Sequence, residues 1–157
     1  MKKLLLYVTI AFSFMMYSCK QSKNDIDKTA LEDEVAKSES LLFSFLHEGK
    51  INDVLAMHIN NAEYKNIFNG DARSYSKMDS VFKTRKANGI KAYNYQVDKR
   101  DFMIIDKECV LETIWGVSTV VSDSVNLNSS SPNIVTFLWK KVDNKWMIAY
   151  IHGSTKK

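Results

Sequence analysis

The apolar positions of this chain change period near Ile90, and that change divides it into two parts. Before it, Leu31, Val35, Leu42, Phe45 and Leu46 recur near the 3.6-residue period and predict a helix from Thr29 to Glu48. Thr29 and Glu32 have the spacing of a capping box, and Gly49 stands where a helix stop is expected. A shorter helix is expected from Asn52 to His58, with Asn52 as N-cap and Leu55 and His58 on one face. Asn60 to Phe68 reads as extended and ends at the Asn69-Gly70 turn. A third helix is predicted from Ser74 to Ala87, with Tyr75, Met78, Val81 and Phe82 as its apolar stripe and Asn88-Gly89 after it.

From Ile90 onward the pattern is that of strands. Ile90 to Ile105 and Glu108 to Ser122 are long runs rich in Tyr, Val, Ile and Thr, joined at Asp106-Lys107. Val125 to Pro132 reads as a loop. A hairpin from Asn133 to His152 then turns at Val142-Asp143-Asn144-Lys145. Helices first and an antiparallel meander last argue an α+β domain with the helices on one face of the sheet. There is no internal repeat and no heptad run.

That order, with a last hairpin reading Trp139-Lys-Lys-Val-Asp-Asn-Lys-Trp146-Met-Ile-Ala-Tyr-Ile-His152-Gly-Ser154, resembles the SnoaL-like branch of the nuclear transport factor 2-like superfamily. Asn144 stands where that family often has Gly, and Asn tolerates positive φ nearly as well. The resemblance covers Thr29 to Ser154. It implies a cone-shaped, curved antiparallel sheet, a cystatin-like α+β roll, closed on one side by about three N-terminal helices and enclosing a pocket. Members of the family include isomerases, dehydratases, cyclases and proteins without chemistry, so the fold alone does not assign an activity. Relatives often dimerise through the sheet face.

Composition narrows the classes. The chain has 157 residues, 45% of them apolar, one Pro and five Gly, which leaves room for one ordinary domain and little linker. The formal charge of +4 falls to +2 without Lys2 and Lys3, and no basic stripe with interleaved aromatics suggests nucleic acid. Lys83, Arg85 and Lys86 fit the last turn of a helix, where cations suit the dipole.

The first residues read as an address. Lys2 and Lys3 precede an apolar run from Leu4 to Tyr17, too short to span a bilayer, and Ser18 sits before Cys19. This resembles the lipobox of bacterial lipoproteins, with Met16 where Leu is usual. The resemblance implies cleavage of residues 1–18, lipidation of Cys19 and a polar tether over 19–28, ahead of a SnoaL-like domain over 29–157. The expected location is the cell envelope, lipid-anchored at the outer membrane or on the periplasmic face. With Cys19 so used, Cys109 has no partner for an internal disulfide and reads as a small buried hydrophobe.

Five residues are candidates for a pocket. Period-two alternation groups Trp146, Ile148, Tyr150 and His152 on the last strand, Tyr93, Tyr95 and Val97 on the first, and Leu111, Thr113, Trp115, Val117 and Thr119 on the second. If these faces coincide, Tyr93, Tyr95, Trp115, Tyr150 and His152 line an apolar cavity with polar tips, the usual form of a small-molecule site; otherwise they fill the core. His152 is the one candidate general base, or else a structural histidine bonded near Ser154. No aspartate can be assigned the role that isomerase chemistry needs. His47, His58 and His152 lack metal-ligand spacing, and there is no phosphate loop or nucleophile elbow, so no metal or cofactor is expected. The sequence therefore favours a non-catalytic, lipid-anchored module binding a small apolar ligand or a protein partner. An acid–base enzyme and a structural dimerisation module are the alternatives.

Overall fold

The structure, a computed structural model, describes residues 26–123 and 129–155. The signal segment, Cys19, most of the tether and the first half of the expected Val125–Pro132 loop lie outside them. Helices α1 (Lys28–His47) and α2 (Ile51–Ala56) come first. Two short strands follow, β1 (Lys65–Phe68) and β2 (Asp71–Arg73), then helix α3 (Tyr75–Ala87). The chain ends in four long strands, β3 (Ile90–Asp106), β4 (Cys109–Ser122), β5 (Ser129–Val142) and β6 (Lys145–Thr155). All six strands form one sheet in the order β2-β1-β6-β5-β4-β3, antiparallel throughout except where β1 runs parallel to β6. The expected α+β class and the helix-then-meander order hold.

The element ends follow local chemistry. Asp27, not Thr29, caps α1: its Oδ1 accepts from the Ala30 N–H at 3.0 Å. Gly49, at φ 65°, ends that helix; its N–H donates to Leu46 O and that of Lys50 to Phe45 O, the paired bonds of a Schellman motif. Ser74 caps α3 and accepts from the Lys77 N–H. Asn52 caps nothing; α2 begins at Ile51, after a Lys50 that makes no side-chain cap. The expected strand over 60–68 shortens to Lys65–Phe68 because Asn69-Gly70, both at positive φ, form a two-residue hairpin that pairs it with β2. Asp143 and Asn144, at φ 49° and 61°, make the same kind of turn between β5 and β6.

β5 begins earlier than expected and contains Pro132, opposite Val117 of β4. Its described pairing with β6 starts at Asn133–Thr155, so Pro132 lies just outside the described β5–β6 ladder.

The helices cover one face of the sheet. Val35 and Leu42 of α1, Val54 and Leu55 of α2, and Met78 and Phe82 of α3 pack with Val110, Ile114, Val135, Phe137, Trp139, Trp146, Ile148 and Ile151. Tyr64, Trp139, Ile114 and Ile148 are fully buried there. Among the described residues, the other face carries no helix.

Candidate functional site

Two bulges decide which side chains face the helices. In β3, Val97 pairs with Gly116 and Lys99 with Trp115, so Asp98 is an extra residue. In β6, Tyr150 pairs with Leu138 and Ile148 with Trp139, so Ala149 is extra. Each bulge reverses the parity of the strand beyond it. Along β6, Trp146 and Ile148 face inward before the bulge and Ile151 and Gly153 after it; Tyr150 and His152 are thereby moved to the outer face.

The five expected pocket residues are therefore not brought together. Tyr93 and Tyr95 lie on the helix side, while Trp115, Tyr150 and His152 lie on the outer face. Trp115 faces outward because the opposite set on β4, Val110, Glu112, Ile114 and Gly116, is the one turned to the helices. A glutamate and a glycine make that set look outward, yet it is the buried one. Trp115 instead carries the Lys99 ammonium 4.4 Å from its ring centroid. His152 is exposed, between Ile67 and Thr136, and its imidazole makes no hydrogen bond to Ser154 or to any other described residue.

What the inner face holds is a cluster of charges. Glu39, on the α1 stripe between Val35 and Leu42, and Glu112 of β4 are both fully buried. Arg100, brought inward beyond the Asp98 bulge, bonds Glu39 Oε2 through a terminal guanidinium nitrogen and places Nε 3.3 Å from Glu112 Oε1. Trp139 Nε1 donates to Glu112 Oε2 at 2.8 Å. Glu39 Oε1 and Glu112 Oε1 have no hydrogen-bond partner. Burial first, and the neighbouring Glu39 second, push the Glu112 carboxyl up to about 8 against the opposing pull of Trp139 and Arg100. Burial raises Glu39 as well, while Arg100 lowers it. One guanidinium cannot neutralise two buried carboxylates, so the cluster keeps a proton at neutral pH.

Beside it, Tyr95 stacks on Phe43 at 4.9 Å and crosses β4 over Gly116 to donate its hydroxyl to Asn133 Oδ1. A Cβ at Gly116 would collide with the Gln96 carbonyl and press on the Tyr95 ring. Burial, then the charges of Glu39 and Asp98, push the Tyr95 hydroxyl well above its ordinary value. His58, after α2, is buried with Nδ1 2.7 Å from Val54 O; burial lowers it to about 4, so it is neutral and structural. Burial also raises the Cys109 thiol, which fits an inert cysteine.

Openings lie around this core. One of about 340 Å³ is lined by Phe82, Arg85, Lys86 and Tyr93, with Arg85 donating to the Tyr93 hydroxyl at 3.3 Å. Another, of about 570 Å³, lies between α1 and the β5–β6 turn. Neither is lined by Glu39 or Glu112.

The outer face forms rows across the four long strands. Tyr150, Leu138, Leu111 and Met103 make one, and Ser154, Ile134, Trp115 and Lys99 another. Between them run His152, Thr136, Thr113 and Asp101, with the two threonine hydroxyls bonded at 3.0 Å. Met103 is 63% exposed and Ile134 43%.

No family model matches the chain, and no curated protein does. Solved structures do. A putative scytalone dehydratase from Novosphingobium aromaticivorans aligns over 82% of this chain and 86% of its own, with TM-score 0.70 and 8% identity. A nuclear transport factor 2-like superfamily protein from Salmonella enterica serovar Typhimurium aligns over 82% and 93%, with TM-score 0.69 and 11% identity. The association domain of C. elegans CaMKII aligns over 82% and 98%, with TM-score 0.65 and 10% identity. At such identities the likeness concerns the fold: a nuclear transport factor 2-like α+β fold with N-terminal helices and an unclosed, mainly antiparallel six-stranded sheet.

Proposed function

We propose that this nuclear transport factor 2-like domain is a non-catalytic association module that docks a second copy of itself through the outer face of its sheet, on a chain anchored in the bacterial cell envelope through a lipidated Cys19. One observation carries the reading. Met103, Leu111, Leu138 and Tyr150 make one apolar row, and Trp115 and Ile134 lie in a second beyond the row of His152, Thr136, Thr113 and Asp101, on a face that no helix covers among the described residues. The surface is central to the sheet, so a copy related by a two-fold axis presents the same rows. The CaMKII association domain, with this fold, supports assembly as a use of it.

The test is sedimentation of the chain over a range of concentrations, comparing it with Leu138→Glu and Met103→Glu. A dimer that each variant converts to monomer, with unfolding midpoints little changed, supports the reading. A chain monomeric at every concentration overturns it.

A second reading, an acid–base enzyme, is favoured by Glu112 alone, a carboxyl that holds its proton at neutral pH as a general acid must. It requires a route for substrate to two fully buried carboxyls, and neither described groove supplies one.

A further inference from the structure

The groove between α1 and the β5–β6 turn combines an apolar floor with a one-sided charge. Leu41, Met57, Trp146 and Met147 contribute the floor; Lys37, Lys141, Lys145 and Glu34 are its charged lining. Leu41 is 48% exposed although it is a leucine in the middle of a long helix. Glu34 is already engaged: it accepts from Lys141 Nζ at 2.6 Å and from Trp146 Nε1 at 2.9 Å, and these two bonds hold its carboxyl below the usual range. Lys141 in turn lies 5.3 Å from the Trp146 ring centroid. Glu34 and Lys141 thus offset each other and fix the indole at the floor.

Lys37 and Lys145 remain. Lys37 feels the Glu34 charge, but neither ammonium has an ion pair or hydrogen bond among the described residues. The groove therefore presents two uncompensated cations above an apolar strip. Its charge calls for an anion and its floor for a chain of methylenes. A volume of about 570 Å³ is that of a small-molecule site, whereas a protein partner covers roughly 800 Å² on each side.

We propose that this groove binds a free single-chain anionic amphiphile, a medium- or long-chain carboxylate, with its chain along Leu41, Met57 and Met147 and its headgroup at Lys37 and Lys145. The site is separate from the sheet face and does not depend on self-association.

The experiment uses the full chain in nanodiscs of phosphatidylcholine. A dodecanoate carrying a terminal diazirine is added, photolysed, and its adducts are mapped by peptide mass spectrometry. Adducts are expected on the segments carrying Leu41, Met57 and Met147. They should fall about tenfold in a Lys37→Glu/Lys145→Glu variant, equivalent to about 1.4 kcal/mol of binding. They should persist in Lys37→Arg/Lys145→Arg, and the matching diazirine alcohol should label the groove at background. Both lysines are exposed, so charge reversal leaves the core intact, which circular dichroism checks. Absence of groove adducts, equal labelling of the charge-reversed chain, or equal labelling by the alcohol overturns the proposal. Adducts confined to segments away from the groove or scattered over the surface do the same.

Discussion

Glu112 is a carboxylate at a core position of β4, fully buried with a hydrogen-bond partner on one oxygen alone. It stands in strict alternation with Val110 and Ile114, and Glu39 stands four residues after Val35 and three before Leu42 on an otherwise apolar helix stripe. A carboxylate at a core position needs a partner or a proton, so these two positions should have pointed to each other. The missing piece was Arg100, whose inward direction depends on a bulge that no alternation rule foresees. The cluster has a consequence for stability. In the folded chain Glu112 titrates near 8; unfolded, it returns to its ordinary value near 4.5. Between those values the native state holds a proton that the unfolded state has released. Stability is therefore greatest below about pH 4.5 from this group, and falls as pH rises towards 8, by at most about 1.4 kcal/mol per pH unit. Glu112→Gln keeps an acceptor for Trp139 and leaves Arg100 to Glu39. Urea unfolding from pH 5 to 9 should show the variant gaining on the parent as pH rises. A difference independent of pH would mean that Glu112 is ionised in the folded state.

At the scale of elements, the strongest periodic signals survived and the ends moved. The three helices and four long strands lie where the change of period puts them, because burying one face of each is a demand that local chemistry cannot override. The ends answer to smaller energies. Asp27 outcompetes Thr29 because its carboxylate reaches the Ala30 N–H and suits the positive end of the helix dipole. Asp27→Ala should cost about 1 kcal/mol in urea unfolding, and Thr29→Ala a few tenths. The reverse order would restore the Thr29 cap. The strands show the limit of parity more sharply. Both bulges fall inside segments whose alternation looks uninterrupted, so plain alternation would carry Arg100 outward past Asp98 and Tyr150 and His152 inward past Ala149. The extra Ala149 by itself moves Tyr150 and His152 to the outer face, while Trp115 lies there by the unbroken parity of β4.

For the whole molecule, the proposed anchoring and the proposed self-association reinforce each other. Cys19 is nine residues before Lys28, the first residue of α1, so an extended tether reaches at most roughly 30 Å. Two copies tethered to one bilayer are confined to a thin layer, and a face too weak to dimerise in dilute solution can do so there. A single acyl chain holds a protein marginally and two hold it stably, so the effect depends on the lipidated cysteine and not on the apolar run alone. Cys19→Ala should therefore do two things in cells: move the chain out of the membrane fraction, and abolish dimers captured by brief chemical cross-linking at native abundance. The same variant, purified and concentrated, should dimerise as the parent does, because the sheet face is untouched. If Cys19→Ala stays with membranes, the anchor is not a lipid on Cys19. If it leaves the membrane but still cross-links at native abundance, the outer face associates strongly enough to need no bilayer, and the tether serves location only.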